Sequence, residues 1–171
     1  MTRTSLNSQE NRPVEAVEWL DASRFSWEFK DVRVTVRSVH LGPVELVGKG
    51  GARRSPKTQY LHLRLRVVNS GVERDIPLSG WAAGQSTDSI RVVDPKGAVL
   101  KPAAFEENWQ PERGKPSERL FPDQSSEVTL IFAAPPGKVE WLRVELPGSA
   151  AGLNEAIRFQ IGSGFYTRPA R

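Results

Sequence analysis

Residues 60–69 read YLHLRLRVVN, and they give the clearest indication of the class of fold. Leucine or valine occupies every second position up to Val67, and histidine or arginine occupies the positions between them. Successive side chains of a β-strand point to opposite faces, so this period of two predicts a strand with one face buried and the other in solvent. Asn69, Ser70 and Gly71 follow, and because these residues tolerate turn geometry they predict the end of the strand.

The same alternation recurs on both sides of this strand. Valines alternate with polar residues over 32–36, and the pattern resumes with the opposite parity at Val39 and Leu41. One extra residue in a strand shifts parity in this way, which predicts a bulge near Ser38 or a strand that changes sheets. Further apolar alternations at intervals of roughly ten residues are typical of sandwiches and barrels. They predict strands over residues 74–81, 89–93, 98–100, 127–132, 141–146 and 157–161, with a turn at 94–97 between the second and the third of them.

Eight or nine short strands with no crossover helix predict an all-β domain in which two antiparallel sheets pack face to face. We place this β-sandwich domain at residues 25–161. Residues 1–24 are predicted to be a polar N-terminal tail or a partly docked segment, and residues 162–171 a C-terminal tail. Residues 48–57 and 102–116 contain breakers and little periodicity, which predicts loops.

Composition limits the classes of function. The chain has 171 residues, of which 26% are charged, and a net charge of +4. Because the charges are spread along the sequence, this mild excess of positive charge does not by itself indicate binding of nucleic acid. With no cysteine, the chain has no disulfide scaffold, thiolate zinc site or cysteine nucleophile. No apolar run approaches the roughly 20 residues that span a bilayer. Residues 1–11 are polar and unlike a secretory signal, so if the protein is exported or anchored we expect the segment responsible to lie outside these 171 residues.

The order of several short motifs resembles the immunoglobulin-like domains of unknown function found in bacterial membrane-anchored, lipoprotein or secreted proteins. The matching motifs are WLDAS (19–23), DVRV (31–34) with SV (38–39), YL (60–61) to RVVN (66–69), GW (80–81), VD (93–94) with Gly97, LIF (130–132) with PP (135–136), and LRVELP (142–147). The resemblance spans about residues 19–161. It implies an immunoglobulin-like sandwich and an extracytoplasmic setting as part of a longer membrane-anchored protein, and it brings no catalytic residue. Because the chain lacks a lipidation cysteine, a cytoplasmic location stays open.

The histidines and serines give no catalytic or metal-binding pattern. His40 and His62 are the only histidines, whereas a zinc site usually needs three or four protein ligands. Ser38 before His40 does not make a triad, which needs a base oriented by a third group. We therefore predict no metal and no cofactor.

Two other motifs fail as catalytic sites. The glycine-rich stretch at 48–51 lacks the Gly-Lys-Ser/Thr order and the following helix of a phosphate loop. Glu106 and Glu107 are adjacent carboxylates near Trp109, but neighbouring residues usually point in different directions, unlike the paired carboxylates of glycosidases. We therefore predict that the protein is not an enzyme.

Cations and aromatic residues supply the candidate binding sites. The loop at 48–57 carries four cations: Lys49, Arg53, Arg54 and Lys57. They could hold an acidic partner or a phospholipid surface, and nucleic acid is the less expected ligand. The alternative is a solvated loop whose charge keeps strand edges from pairing. A second set of cations lies on the outward faces of two predicted strands: Arg33, Arg37, Arg64 and Arg66. If these strands are neighbours, the four arginines form a cationic stripe. The alternative is that outward glutamates and threonines on adjoining strands pair with them.

Trp109 and Phe105 lie in the predicted loop at 102–116, where exposed rings could hold a sugar or a peptide. Trp81 and Trp141 are predicted instead to anchor the sheets. We interpret the chain as a non-enzymatic binding module that contacts a protein or another component of the cell envelope. The alternatives are a carbohydrate-binding domain that uses the loop aromatics and an anion-binding or nucleic-acid-binding domain that uses the basic loop.

Overall fold

The structure is a computed structural model that describes residues 18–78, 90–112 and 119–167. These residues form β-strands and two short 3-10 helices, Gly148–Ala151 and Ser163–Phe165, which confirms the all-β class. Strands of two or three residues raise their number above the predicted eight or nine. The strands are β1 (Leu20–Asp21), β2 (Trp27–Phe29), β3 (Val32–Gly42), β4 (Leu46–Gly48), β5 (Arg53–Arg54), β6 (Tyr60–Asn69), β7 (Ile76–Pro77), β8 (Arg91–Val93), β9 (Trp109–Pro111), β10 (Arg119–Leu120), β11 (Ser125–Ala133), β12 (Trp141–Pro147), β13 (Ala156–Gly162) and β14 (Tyr166–Thr167).

Two main sheets form the sandwich. The β6 sheet has the order β11-β6-β3-β14, with β2 also paired to β3, and the β12 sheet has the order β1-β13-β12-β8. The long ladders β3–β6, β6–β11 and β12–β13 are all antiparallel. Side chains from both sheets, including Leu65, Phe132 and Phe159, belong to one buried cluster, so the antiparallel sandwich predicted from the sequence is confirmed.

The parity of the apolar residues fixes which face of each strand is buried. Leu61, Leu63, Leu65 and Val67 of β6 are all buried, as the opening stretch predicts. The register between β3 and β6 shifts between Val36 and Ser38, which confirms the predicted bulge. The bulge returns Val39 to the buried face after the change of parity.

Ordered structure extends beyond residues 25–161 at both ends. β1 pairs in parallel with β13, and β14 pairs in parallel with β3. Leu20 and Phe165 are half-buried against the main core, which gives each terminal segment an apolar contact. The segment after Gly162 is therefore part of the sandwich as far as Thr167, where a tail was predicted.

The two predicted loops contain strands of a third, smaller sheet with the order β5-β4-β9. Ile131 of β11 points to the outer face of the β6 sheet and is buried there with Val44 and Leu46. Phe105 and Trp109 pack on this outer cluster, and β5 and β9 pair with β4 on either side, so short parts of the predicted loops form strands. The predicted strand at 98–100 is reduced to a bridge between Val93 and Val99. Residues 79–89 lie outside the described residues, and with them Trp81.

Candidate functional site

The outer face of the β12 sheet carries an aromatic and cationic groove. Leu142, Val144 and Leu146 point into the core, so the alternate residues of β12 point outward. Trp141 is among these outward residues and is half-buried on the surface, which corrects the prediction that it anchors the sheets. The Trp141 ring has a large hydrophobic surface, but Trp141 alternates with the inward residues of β12, so its side chain lies outside the sandwich.

Arg143 is held between two indole rings. Its guanidinium carbon lies 5.2 Å from the ring centroid of Trp19 and 4.7 Å from that of Trp141. Its Nε donates a hydrogen bond to Oε1 of Gln160 on β13, at 3.1 Å. Cation–π attraction and this hydrogen bond fix the guanidinium in one orientation. The stack also fastens the segment before β1 to the sheet.

The turn at residues 94–97 also lines the groove. Asp94 is only 5% exposed, and its Oδ1 accepts hydrogen bonds from the backbone N–H groups of Lys96 at 2.9 Å and Ala98 at 2.8 Å. Gly97 has φ of 84°, a conformation that favours glycine. The turn that the sequence predicts at 94–97 is confirmed, and its internal bonds keep it in place.

The Trp19–Trp141 groove, as we call it, has a volume of about 360 Å³, at the lower end of the roughly 300–1,000 Å³ of small-ligand sites. Its floor is the β8–β12 ladder, in which Arg143 lies opposite Val93 and Glu145 lies opposite Arg91. The residues that line it include Trp19, Trp141, Arg91, Arg143, Glu145 and the turn at Asp94. Ring faces beside guanidinium groups can hold a ligand that is apolar on one side and anionic at one end.

Phe105 and Trp109, predicted as a recognition surface, pack together on the outer cluster of the β6 sheet. The Phe105 ring lies 5.4 Å from that of Tyr60. The Trp109 ring covers Gly48, where an added Cβ would lie 3.1 Å from the ring. The guanidinium carbon of Arg54 lies 5.3 Å from the centroid of the Trp109 ring. Both predicted aromatics are half-buried, and their rings are partly taken up by neighbours within the chain.

The predicted basic loop is partly neutralised by carboxylates. Arg53 donates hydrogen bonds to Glu45 at 2.7 Å and to Glu112 at 2.7 and 2.8 Å, and these bonds raise the pKa of Arg53 above its ordinary value. Arg54 lies 3.5 Å from Glu106. Lys49 and Lys57 are exposed. The four cations therefore do not converge on one anion site, because two of them cross-link the small sheet.

The arginine stripe forms as predicted for neighbouring strands, since β3 and β6 pair directly. The alternative, in which polar neighbours pair with the stripe, also holds for most of the arginines. The pairs are Arg33 with Glu28, Arg64 with Glu127 at 2.7 Å, and Arg66 with Ser125 at 3.4 Å. Arg37 has no ion pair within the part of the chain that the structure describes. This face is a surface of mixed charge.

His40 and His62 stack on the outer face of the β6 sheet, with ring centroids 4.4 Å apart and planes inclined by 11°. Nε2 of His62 lies 3.1 Å from the carbonyl oxygen of Gly42. Within residues 18–78, 90–112 and 119–167, no group of three or more potential ligands is placed to hold a metal ion. The pair is an electrostatic feature of the sheet surface.

Acidification is expected to destabilise the protein through His40. Burial lowers the pKa of His40 below its ordinary 6.5, and the neighbouring His62 and Arg64 lower it further. The unfolded chain therefore takes up the proton first, so this contribution to stability is full above about pH 6.5 and is lost as the pH falls through the folded-state pKa. We expect urea midpoints to fall less between about pH 7.5 and pH 5.5 for His40→Gln than for the wild type. Equal changes in both proteins would contradict this role of His40.

Comparison with one solved structure supports the fold. The yjhA protein from Bacillus subtilis has a crystal structure that matches this chain with a TM-score of 0.53 and 14% sequence identity, covering 85% of this chain and 99% of that one. A second Bacillus subtilis structure, that of a "putative lipoprotein (ycdA)", matches with a TM-score of 0.49 and 15% identity, covering 81% of this chain and 38% of that one. At such identity the likeness to the yjhA protein shows the fold alone.

No family model and no curated protein matches the chain. The described residues contain no helix long and apolar enough to cross a membrane.

Proposed function

We propose that the protein is a non-enzymatic binding module and that the Trp19–Trp141 groove is its ligand site. The observation that carries this proposal is the stack of Arg143 between two indole rings at the side of an open groove. A concave surface with aromatic rings and a few fixed polar groups is the usual form of a binding site. The strands beneath it make the site rigid, which lowers the entropy cost of binding.

The setting of this module is part of the proposal. We propose an immunoglobulin-like domain of the bacterial cell envelope, extracytoplasmic and joined to a longer membrane-anchored protein, whose partner is a protein or another envelope component. The support is the order of motifs along the chain together with the antiparallel sandwich. The groove lies on a sheet face, so a ligand could reach it without opening the domain.

Two other binding sites remain as candidates with less support. Phe105 and Trp109 could hold a carbohydrate, but both rings pack on the outer cluster. The basic loop could hold an anion or, less expectedly, nucleic acid, but Arg53 already bonds to Glu45 and Glu112. The first of these, the carbohydrate site at Trp109, is tested by the same experiment as the groove.

The test is binding of the labelled protein to arrays of glycans, peptides and lipids, with the wild type compared to Trp141→Ala and Trp109→Ala. We expect the wild type to bind at least one class of arrayed ligand. For that ligand, Trp141→Ala should lower the affinity about tenfold or more, and Trp109→Ala should leave it unchanged. Thermal melting of each variant shows whether it is folded.

Three outcomes would overturn the proposal. Binding that survives Trp141→Ala in a folded protein, but is lost in Trp109→Ala, would place the site on the outer cluster. No binding by the wild type to any array would remove the groove as a ligand site. Turnover of ester, glycoside or phosphate substrates that a point mutation abolishes would make the protein an enzyme.

A further inference from the structure

We infer that the Trp19–Trp141 groove recognises a carboxylate-bearing saccharide, an inference that rests on the proposed function of the groove as a ligand site. Three properties of the groove lead to this class of ligand. They are two arginines without ion pairs among the described residues, partly accessible indole rings, and a neighbouring strand edge that is already occupied.

The charge of the groove favours a carboxylate. Glu145 is paired with Arg158, whose Nε lies 2.6 Å from the Glu145 carboxylate. Arg91 is exposed and has no ion pair within the part of the chain that the structure describes, although it lies opposite Glu145 in the ladder.

Arg143 uses Nε for Gln160, and its two terminal nitrogens remain as donors beside the groove. Asp94 is the second carboxylate of the lining, and its Oδ1 accepts hydrogen bonds from the backbone of its own turn. The guanidinium groups of Arg91 and Arg143 are therefore the cationic donors available to a ligand carboxylate, which accepts such hydrogen bonds strongly.

The rings of the groove favour a sugar as the carrier of that carboxylate. An indole face is electron-rich, and the C–H groups on one face of a sugar ring carry small positive charges that it attracts. Trp19 and Trp141 are half-buried, so part of each ring remains accessible at the groove. The hydroxyl groups of a sugar would find polar partners in Glu145 and in the backbone of the turn at Asp94. A groove of about 360 Å³ suits a short saccharide.

The edge of the sheet argues against an extended acidic peptide. Such peptides usually gain affinity by adding a strand to an open edge. Beyond β8 that edge is occupied, because Leu100 donates a backbone hydrogen bond to Val92 at 2.8 Å and Asp94 donates one to Ala98 at 3.0 Å. Val93 also bridges to Val99. A peptide would have to bind through its side chains alone.

The experiment measures the affinity of the full chain for three acidic tetrasaccharides: tetragalacturonate, a mannuronate tetramer and a hyaluronan tetrasaccharide. The methyl ester of tetragalacturonate has the same rings without the charge, and tetraglutamate has the charge without the rings. The variant is Arg91→Gln, which changes an exposed side chain that has no ion pair with any described residue. The matched control is Arg37→Gln on the outer face of the other sheet, where the arginine is likewise exposed and without an ion pair among residues 18–78, 90–112 and 119–167.

We expect at least one acidic tetrasaccharide to bind with a Kd below about 1 mM, and its affinity to fall with added salt. For that ligand, Arg91→Gln should weaken binding about tenfold, because a charge-assisted hydrogen bond is lost, while Arg37→Gln should leave it unchanged. The methyl ester and tetraglutamate should each bind at least about tenfold more weakly than the acidic saccharide.

Several results would overturn the inference while leaving the proposed function intact. Equal affinity for the methyl ester would remove the carboxylate from recognition, and equal affinity for tetraglutamate would remove the sugar. Equal losses in Arg91→Gln and Arg37→Gln would mean attraction to net charge alone. If no acidic tetrasaccharide binds, the ligand class is wrong, and the array experiment decides separately whether the groove binds anything.

Discussion

Asn69→Asp is expected to lower the free energy of unfolding by about 4 kcal/mol, because a carboxylate would replace an amide whose donors are fully used in a buried site. Asn69 ends β6 and is 0% exposed. Its Nδ2 donates to the carbonyl oxygens of Arg74 at 2.7 Å and Leu120 at 3.0 Å, and its Oδ1 accepts from the N–H of Gly71 at 3.0 Å. The side chain therefore joins the end of β6 to two other segments.

The substitution keeps the shape of the side chain and removes both donors. Two carbonyl oxygens would then face a carboxylate oxygen without water between them, which is unfavourable for every group involved. The backbone of Asn69 stays bonded to Gln124 and Asp123, so the substitution should act on the side chain alone.

Urea denaturation of the wild type and Asn69→Asp measures the change. Asn154→Asp is the matched control, since Asn154 is exposed, and its stability should stay within about 0.5 kcal/mol of the wild type. If Asn69→Asp is as stable as Asn154→Asp, the amide donors at this site contribute nothing to folding.

Gly148→Ala is expected to cost about 3 kcal/mol or more, because the site has no room for a single methyl group. An ideal Cβ at Gly148 would lie 1.9 Å from the carbonyl oxygen of Glu155 and 3.3 Å from Cβ of Leu153. The obstacle is backbone, so no side-chain rotation relieves it. Glu155 precedes β13, and Ala156 pairs with Pro147, so moving the carbonyl would disturb the start of the β12–β13 ladder.

Thermal denaturation should show a fall in Tm of about 10 °C for Gly148→Ala. Gly137→Ala is the control, because an added Cβ there meets no atom within 4 Å, and its Tm should change little. A Tm for Gly148→Ala near that of Gly137→Ala would show that the turn after β12 can open to admit the methyl group.

The candidate site was only partly predictable. The sequence marks Phe105 and Trp109 because they stand in a stretch of low periodicity, but Ile131 is buried on the outer face and gives both rings a place to pack. Trp141 was predicted to be buried because large aromatic residues usually are. The signal that could have placed it outside was parity: Leu142, Val144 and Leu146 take the inner face, so Trp141 and Arg143 must take the outer one.

Properties that depend on near neighbours could be predicted from the order of residues: the all-β class, the buried face of each long strand, the bulge before Ser38 and the turn at Asp94. Alternation and turn chemistry act over a few residues, so they can be recognised along a single chain. The meeting of distant segments became visible in the folded chain. The fold brought Trp19 beside Arg143 and Leu120 beside Asn69, and it paired β4 with β9. Such contacts depend on how strands are ordered within the sheets, and a period of two carries no information about that order.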